Sequence, residues 1–324
     1  MKVLVTGGAG YIGSVTAHQL RQEGFDVVIM DNFSSGTRKS IPQKIPYHQA
    51  DLKNLNQIRE LFRQYRFEAV IHFAGLISVS ESVANPWIYY ENNVLGSLNL
   101  LRTMIEYGSS KIVFSSTAAV YGNPKRTPIK EHDPKCPINP YGKTKLVVEE
   151  LLKSLSLRYS IKYVNLRYFN AAGADGVLGE NHANEIHLIP LLFWASLGKI
   201  KRFSVYGRDY PTKDGTAVRD FIHVLDLARA HTLGLKKMNR IYNQSFNVGT
   251  GKGYSVQEVY ERAEKISSRE IPVSYQKRRP GDPAILIADS SMIRKKMGWR
   301  PQYGLDDILE SAWEWEQKRV YQSC

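Results

Sequence analysis

The sequence predicts an α/β protein built on a doubly wound parallel sheet, and three observations predict it. Short β-rich runs alternate with helical runs through the first third of the chain, which is the pattern of a parallel sheet covered by helices. A glycine-rich turn at residues 6–13 follows the first of these strands and opens a helix. The second strand then ends in an acidic residue, Asp31.

The strands and helices of the first half follow from runs of apolar residues and from caps. The strands are predicted at residues 3–5, 27–30, 47–50, 69–73 and 111–115. The helix after the first strand should end near Glu23, with Gly24 as its C-terminal cap. Further helices are predicted at residues 87–107 and 141–158, the second with an apolar stripe of Val147, Val148, Leu151, Leu152 and Leu155.

The second half contains fewer clear elements. Residues 219–235 are predicted to form a strand and a helix that rejoin the main sheet. Ser255 is the predicted N-cap of the helix that follows it. Residues 306–320 should form a final amphipathic helix. Its Trp313 and Trp315 cannot both face the core, so we expect a partner subunit to cover one of them.

Length, composition and charge restrict the class of protein. The 324 residues, 43% of them hydrophobic, suffice for one large domain or two. The net charge is +13, but the basic residues are scattered, which favours a polyanionic small ligand over nucleic acid or a membrane surface. Cys136 and Cys324 are far apart, so we expect a reducing compartment with no disulfide framework and no metal site. With no leader and no long apolar run, we expect a cytoplasmic location.

The glycine-rich turn has the features of a dinucleotide site. Glycines such as Gly7, Gly10 and Gly13 allow a tight turn, close approach of the backbone to a phosphate, and close packing of helix on strand. The helix N-terminus presents free N–H groups to a pyrophosphate. Asp31 can accept hydrogen bonds from both ribose hydroxyls of the adenosine and would repel a 2′-phosphate. The sequence therefore predicts NAD as cofactor in preference to NADP.

Residues at the ends of the next strands extend this site. Asp51 and Leu52 follow the third strand and would lie beside the adenine. Ala74 and Gly75 follow the fourth, where small residues let the backbone approach the cofactor. His72 lies within an apolar run, so we expect it to be a hydrogen-bonded core histidine and not a catalyst.

An asparagine pair, Asn92 and Asn93, lies within the predicted helix at residues 87–107, which is unusual by helix propensity. One of the two should face the core or the cofactor, and we assign Asn92 to the cofactor. Solvation of both is the alternative.

Tyr141 and Lys145 are the candidate catalytic pair. Their spacing puts them on one face of a helix, whereas Lys143 points away from both. A cation beside a phenol lowers the tyrosine pKa from its usual value of about 10, which gives a base that works near neutral pH. Thr117, just past the fifth strand, is the candidate for a hydrogen bond to a substrate oxygen.

These features occur together in a known family. The glycine turn, Asp31, Asp51, residues 73–75, residues 115–117 and the Tyr141–Lys145 pair resemble the extended short-chain dehydrogenase/reductase family, and within it the UDP-glucose 4-epimerases. Supporting stretches lie at residues 166–170, 209–212, 218–224 and 278–282, so the resemblance covers nearly the whole chain. It implies a Rossmann-type domain of residues 1–170 and 217–245 and a smaller α/β substrate-binding domain of residues 171–216 and 246–324.

The resemblance also implies a tightly bound NAD, a UDP-sugar substrate and a homodimer. The residues that it assigns to the cofactor are Gly7, Gly10, Tyr11, Ile12, Gly13, Asp31, Asn32, Asp51, Leu52, Phe73, Ala74, Gly75, Asn92, Ser115, Tyr141, Lys145 and Tyr168. The residues that it assigns to the substrate are Thr117, Tyr141, Asn170, His187, Leu188, Ser204, Tyr206, Arg219, Arg279, Asp282 and Leu286. The two arginines would clamp the diphosphate, because guanidinium groups suit phosphate oxygens.

The implied activity is interconversion of UDP-glucose and UDP-galactose through a 4-keto sugar, with Tyr141 as the base. A 4,6-dehydratase would carry an Asp-Glu pair after the active-site threonine, where this chain has Ala118 and Ala119. A 4-epimerase of UDP-N-acetylglucosamine, UDP-glucuronate or a UDP-pentose remains the alternative. A non-catalytic NAD-sensing protein is disfavoured because such proteins lack the tyrosine–lysine pair.

Three positions depart from the family pattern. Ile77 stands where many relatives have a lysine that reaches the cofactor, so the strength of NAD retention is open. His187 stands where some relatives have an asparagine near the diphosphate. Leu286 occupies the position that gates the sugar pocket and is intermediate in size, which leaves the preferred UDP-sugar open.

Overall fold

The computed structural model describes residues 1–182, 185–279 and 282–321, so Pro280, Gly281 and Cys324 lie outside the described residues. In chain order the strands are β1 (Lys2–Thr6), β2 (Asp26–Asp31), β3 (Tyr47–Gln49), β4 (Ala69–His72), β5 (Lys111–Thr117), β6 (Lys162–Tyr168), β7 (Asn170–Ala172), β8 (Phe203–Tyr206), β9 (Val218–Arg219), β10 (Phe221–His223), β11 (Gln244–Val248), β12 (Tyr254–Ser255), β13 (Val273–Gln276) and β14 (Ile285–Leu286). The helices are α1 (Tyr11–Gln22), α2 (Leu55–Tyr65), α3 (Val79–Ala84), α4 (Pro86–Tyr89), α5 (Gly96–Glu106), α6 (Pro140–Tyr159), α7 (Leu188–Ser196), α8 (Val224–Lys237), α9 (Val256–Ser267), α10 (Ser291–Met297) and α11 (Leu305–Tyr321). None of these described helices is long and apolar enough to cross a membrane.

The main sheet confirms the predicted fold class. It has seven strands in the order β11-β6-β5-β4-β1-β2-β3, and every neighbouring pair is parallel. The strand order reverses beside β1, where β2 lies on one side and β4 on the other. Ligands of doubly wound sheets bind at such a reversal, outside the carboxyl ends of the strands.

Helices cover both faces of this sheet. Alternate residues of each strand point to opposite faces, so Val5 contributes to one core and Leu4 to the other. The first core is completed by side chains of α1 and α8, including Leu20 and Leu227. The second is completed by α2, α5 and α6, including Leu152. Burial on both faces explains why these strands read as nearly continuous apolar runs.

The prediction that residues 219–235 return a strand to the main sheet is wrong. β9 pairs with β12 and β14, and β10 pairs with β7, each in a separate small sheet. Only α8 packs on the main sheet, where it supplies the crossover that a parallel neighbour of β6 needs. The seventh strand is β11, which crosses the predicted domain boundary after residue 245. The proposed domain limits remain a prediction.

A further core lies under the second half of the chain. It combines side chains of α7, α9 and α11, including Phe193, Val259 and Trp313. Ser255 caps α9 as predicted, through a reciprocal pair of hydrogen bonds with Glu258.

The last helix places its two tryptophans differently from the prediction. Trp313 is buried, and its ring centroid lies 5.2 Å from that of Phe193. Trp315 is half-buried, and its Nε1–H donates to the carbonyl oxygen of Glu180 at 2.8 Å. Both tryptophan side chains therefore make contacts within this chain, and their burial does not require a partner subunit.

The predicted helix at residues 87–107 is not uniform. It consists of α4, a wider π-helical segment, Tyr90–Leu95, and α5. Such segments insert a residue into an α-helix and are frequent at functional sites. Both asparagines, Asn92 and Asn93, lie in this segment.

Candidate active site

The glycine turn is closed so tightly that side chains do not fit. Gly7 has φ +70°, and a Cβ on it would lie 2.6 Å from the backbone nitrogen of Ala74. A Cβ on Gly13 would lie 2.2 Å from the carbonyl oxygen of Gly7. α1 begins directly after this turn, so its first N–H groups are available to an anion. The local geometry fits the pyrophosphate of a dinucleotide.

Three other residues assigned to the cofactor have side chains that contact protein. The Tyr11 hydroxyl donates to the carbonyl oxygen of Gly173 at 2.5 Å. Ile12 packs against the core, and Leu52 is buried beside Gly96. A role for these three residues at the cofactor would therefore use their backbone or the surface that they shape.

Asp31 lies at the carboxyl end of β2, next to the turn. One carboxylate oxygen accepts from the Ala9 N–H at 2.9 Å and the other from the Phe33 N–H at 2.8 Å. Burial raises the pKa of this carboxyl, and the two backbone donors oppose that rise. Asn32 Nδ2 donates to Asp51 Oδ2 at 3.2 Å, so the predicted residues after β2 and β3 do come together. Their arrangement fits recognition of a ribose and its base.

The end of β4 meets the π-helical segment. Phe73 and Ala74 both donate their N–H groups to the carbonyl oxygen of Thr6, which holds this strand end against β1. A Cβ on Gly75 would lie 3.3 Å from Asn93 Oδ1 and 3.4 Å from Lys145 Nζ. The small residues predicted here therefore make room for polar side chains of the site itself.

Asn93 is the inward-facing residue of the asparagine pair, whereas the prediction selected Asn92. It is buried, accepts from the Leu76 N–H at 2.8 Å, and donates to the Leu76 carbonyl and to Thr144 Oγ1, both at 3.1 Å. The selected neighbour, Asn92, is half-buried and donates to Asn93 Oδ1 at 3.1 Å. The asparagine pair does indicate a polar side chain that faces inward. The periodicity of a regular α-helix cannot show which of the two it is, because both lie in a π-helical segment.

α6 begins beside the end of β5 and carries the candidate base. Asn139 caps it by accepting from the Gly142 N–H at 2.8 Å, and Pro140 occupies its first turn. A Cβ on Gly142 would lie 2.6 Å from the carbonyl oxygen of Ala119, so the glycine permits this close approach. The sequence thus brings Tyr141 to the same end of the sheet as the glycine turn.

Lys145 is held by the strand and not by solvent. Its Nζ donates to the carbonyl oxygen of Ser115 at 2.9 Å and lies 5.0 Å from the centroid of the Phe114 ring. The residue is buried, and burial lowers the pKa of its ammonium to about 8. Lys143 is exposed, as predicted.

The pKa of Tyr141 corrects one prediction. Burial of the phenol raises it above the usual value, although a hydrogen bond with Thr117 acts in the opposite direction. The predicted lowering of this pKa by Lys145 and the nicotinamide ring is not produced by the protein groups alone, because burial outweighs the Thr117 hydrogen bond. A positive charge placed beside the phenol would act in the opposite direction to burial and lower this pKa.

Thr117 and Tyr168 complete the same end of the sheet. Thr117 is the last residue of β5, not the first beyond it, and is aligned with Tyr168 at the end of β6. Its hydroxyl also accepts from the Ala119 N–H at 3.1 Å. The Tyr168 hydroxyl is hydrogen-bonded to Ser115 Oγ. Two direct contacts therefore join predicted residues here, one between Thr117 and Tyr141 and one between Ser115 and Lys145.

Three groups of predicted substrate residues lie in the second half of the chain. Arg219 forms an ion pair with Asp282, and Leu286 is aligned with Arg219 in the pairing of β14 with β9. Asn170 begins β7, and its Nδ2 donates to the Asp220 carbonyl at 3.1 Å. The structure therefore brings these four predicted residues to one group of short strands.

Tyr206 and Arg279 form a second contact. The guanidinium carbon of Arg279 lies 4.0 Å from the centroid of the Tyr206 ring, and both side chains are exposed. Ser204, two residues earlier on β8, is hydrogen-bonded to Ser274 on the paired strand β13 at 3.2 Å. Its side chain is therefore already engaged within the protein.

His187 and Leu188 lie at the start of α7. His187 is the N-cap residue of this helix, and Leu188 is its first residue. Burial lowers the pKa of the His187 imidazole, but the carboxylates of Glu180 and Glu185 outweigh burial and raise it to about 10. Of the other departures, Ile77 is exposed, and Leu286 packs with Val120, Tyr121 and Ile129.

The doubly wound sheet, the closed glycine turn and the tyrosine–lysine pair at the sheet edge together define the class of extended short-chain dehydrogenases/reductases. The family model described as GDP-mannose 4,6 dehydratase matches residues 4–312. A UDP-glucose 4-epimerase of Lacticaseibacillus casei is 44% identical over 321 residues, which are 98% of this chain and 97% of that protein.

Solved structures agree. A crystal structure of a UDP-glucose 4-epimerase matches with a TM-score of 0.96 and 42% identity, covering 99% of this chain and 98% of that one. The enzyme of Bifidobacterium longum, in complex with NAD+ and UDP, matches with a TM-score of 0.94 and 39% identity, covering 99% of both chains. This chain belongs to the extended short-chain dehydrogenase/reductase family, and to the UDP-glucose 4-epimerases within it.

Proposed function

We propose that this protein is an NAD-dependent 4-epimerase that interconverts UDP-glucose and UDP-galactose through a transient 4-keto sugar. The observation that carries the proposal is the contact group at the end of β5, where Thr117 lies against Tyr141 and Lys145 is bonded to Ser115. This group offers a phenol, a hydroxyl and a buried cation to one reacting oxygen.

NAD fits the residues that are present. The turn has no space for a Cβ at Gly7 or Gly13, so backbone and the start of α1 form its surface. Asp31 lies beside it, and its two carboxylate oxygens accept from backbone N–H groups. When bound, NAD supplies a positive charge and a reversible acceptor for the hydride of carbon 4. We propose that Asp31, Asn32, Asp51, the end of β4, Ser115, Lys145 and Tyr168 also belong to the cofactor site.

Tyr141 moves the proton of the reaction. As phenolate it takes the proton of the 4-hydroxyl while carbon 4 loses its hydride, and it returns that proton when the ketone is reduced. Thr117 donates a hydrogen bond to the same sugar oxygen. Lys145 contributes charge and, through Ser115, holds α6 against β5.

Inversion at carbon 4 requires the ketone to present its other face, so the sugar must turn while the nucleotide stays in place. We propose that Arg219, Arg279 and Asn170 hold the diphosphate, with Asp282 on a ribose hydroxyl. The base would lie between the start of α7 at Leu188 and the strand that carries Tyr206. Most of the binding energy then comes from contacts with UDP, so the sugar is free to rotate.

Dehydration is the competing reaction suggested by the description of the family model. An elimination needs an acid and a base next to the active-site threonine. The residues there are Ala118 and Ala119, which can supply neither. This difference favours epimerisation.

Cytoplasmic location and a homodimer are further parts of the proposal. Large apolar side chains, including Trp87, Leu98 and Leu157, are exposed on α4, α5 and α6. A second copy of the chain that covers these helices would bury them.

Purified protein with NAD and UDP-galactose tests the function. We expect UDP-glucose to appear on chromatography with no net accumulation of NADH. The exposed Lys143→Met should match wild type, whereas Lys145→Met should lose most of the rate. Conversion of UDP-glucuronate or a UDP-pentose without conversion of UDP-galactose would reject the proposed substrate. A product that has lost water, as a 4,6-dehydratase would form, would reject epimerisation.

A further inference from the structure

Four titratable side chains converge outside the residues that move the proton. They are Glu180, His182, Glu185 and His187, in the segment that leads into α7. One ligand atom of each lies within 4.8 Å of the ligand atoms of the other three. The prediction of no metal site rests on the two cysteines, and this cluster contains neither of them.

The distances are those of a small coordination site. The Nδ1 atom of His187 lies 2.7 Å from Glu180 Oε1 and 2.8 Å from Glu185 Oε1. The Nδ1 atom of His182 lies 3.2 Å from Glu180 Oε1 and 3.5 Å from Glu185 Oε2. Ligands of a tetrahedral Zn²⁺ with bonds of about 2.0–2.1 Å lie about 3.3 Å apart. The four histidine–carboxylate separations lie on both sides of that value, and the other pairs of ligand atoms lie within 4.8 Å of each other.

Hydrogen bonds do not account for the whole arrangement. Glu180 Oε1, Glu185 Oε2 and His182 Nδ1 are buried and make no well-aligned hydrogen bond among the described residues, so that their close contacts are the ion pairs within the cluster. The side chains of Glu180 and Glu185 are 5% and 0% exposed. His187 Nδ1 can carry one proton, yet it faces two carboxylate oxygens at nearly equal distance. Buried polar atoms of this kind need a partner.

The cluster is anchored to the rest of the protein. The carbonyl oxygen of Glu180 accepts from Trp315 Nε1 at 2.8 Å and from Arg319 Nη1 at 3.1 Å, both on α11. A Cβ on Gly179 would lie 2.6 Å from the Trp315 ring, so this position must be glycine. His187, at the other end, is the N-cap of α7. The ligands are thus presented from a fixed frame, which favours a defined geometry.

We propose that Glu180, His182, Glu185 and His187 bind one divalent transition-metal ion, with Zn²⁺ preferred over Mg²⁺. Two imidazoles and two carboxylates form a tetrahedral donor set that suits Zn²⁺, whereas Mg²⁺ takes oxygen ligands in octahedral geometry. The ion would tie the loop before α7 to the first turn of that helix. This is a structural role next to the proposed substrate site, because His187 precedes Leu188 and both are among the residues that the resemblance assigns to the substrate.

A charge argument defines the competing explanation. Two protons on the imidazoles neutralise the two carboxylates, and one divalent cation with neutral imidazoles does the same. The cluster is therefore electrically balanced either as ion pairs alone or as a metal site. Direct measurement of metal binding separates the two.

The test is calorimetric titration of ZnCl₂ into untagged, chelator-treated full-length protein, with MgCl₂ as a parallel titration. We expect about one Zn²⁺ per chain, no measurable heat with Mg²⁺, and a higher melting temperature with Zn²⁺. Glu185→Gln and His182→Gln should each weaken Zn²⁺ binding by about 100-fold or more, since each removes a ligand. His132→Gln changes an exposed histidine elsewhere and should bind as wild type does.

The melting temperature of each variant without metal shows whether it folds. A folded His182→Gln protein that binds Zn²⁺ as tightly as wild type would overturn the proposal, as would absence of a stoichiometric site in the wild type. If His132→Gln weakened Zn²⁺ binding as much as His182→Gln does, the proposal would also be overturned, because Zn²⁺ would then bind to surface histidines in general.

Discussion

The ammonium of Lys145 lies 2.9 Å from the carbonyl oxygen of Ser115, so a lysine of α6 is bonded to the backbone of β5. This contact fixes the start of α6, and with it Tyr141, against Thr117 at the end of the same strand. The phenol of Tyr141 is also buried, and burial raises its pKa. Position and acidity of the proposed base thus have different origins.

Replacement of Tyr141 by phenylalanine should remove the proton-transfer group and little else. We expect turnover of UDP-galactose to fall by about 10²–10⁴-fold, because that is the usual contribution of a general acid–base group. UDP should bind as it does to wild type, since the proposed nucleotide contacts are on other elements. Tyr159→Phe, at the exposed end of the same helix, is the control and should keep full activity. Steady-state rates and calorimetry with UDP check this, and unchanged turnover in Tyr141→Phe would remove the residue from the mechanism.

The sequence predicted five strands of the seven-stranded main sheet, β1 to β5, and missed β6 and β11. Apolar runs at β1, β2, β4 and β5 cannot be solvent-exposed, and the glycine turn after β1 has a steric requirement that a sequence displays directly. The two-residue strands β9, β12 and β14 carry no such periodicity, since their pairing depends on tertiary contacts. That is why residues 219–235 were assigned to the wrong sheet.

The site residues also divide into those that follow from a sequence period and those that depend on tertiary contacts. Tyr141 and Lys145 follow from helical spacing, whereas Asn93 depends on a π-helical turn that propensity does not reveal. The Glu180–His187 cluster joins residues from a loop and a helix cap, and a loop has no period from which to infer convergence. The pKa of Tyr141 depends on burial and on the hydrogen bond with Thr117, neither of which helical spacing can determine.

His72 predicts a loss of stability in acid. Burial, with Lys145 nearby, lowers the pKa of His72 to about 3, and the ring is held between Thr6 and Ser97. The unfolded chain takes up a proton below its pKa of about 6.5, whereas the folded chain does not until far lower pH. The stabilising effect is therefore present above pH 6.5 and is lost as the pH falls towards 3.

Urea unfolding of wild type and His72→Gln at pH 7 and pH 5 measures this effect. The loss of unfolding free energy between the two pH values should be smaller in His72→Gln by about 2 kcal/mol, the cost of about 1.5 pKa units. His132→Gln, at an exposed position, should follow wild type. The same pH dependence in wild type and His72→Gln would contradict a neutral His72.

Leu286 should influence which sugar is accepted. It is half-buried, packs with Val120 and Tyr121, and is aligned with Arg219 across two short strands. Tyrosine at this position would occupy space beside the proposed sugar site, so Leu286→Tyr should lower the rate on UDP-N-acetylgalactosamine more than the rate on UDP-galactose. We expect the ratio of the two rates to change by about tenfold, the size of a modest steric discrimination. A ratio equal to that of wild type would exclude a gating role.

Gly13 should tolerate no side chain. A Cβ there would lie 2.2 Å from the carbonyl oxygen of Gly7, which is backbone and cannot rotate away, so Gly13→Ala must displace the turn. We expect a loss of about 1–3 kcal/mol in unfolding free energy and NAD binding weakened by at least tenfold, because the displaced turn is the proposed pyrophosphate site. Gly234→Ala, in α8, is the matched control. Its Cβ would lie 3.5 Å from methyl groups of Val113 and Val164, which is an ordinary contact distance. Chemical denaturation and NAD titration compare the two, and a Gly13→Ala protein that binds NAD like the control would show that the closed turn is not the cofactor site.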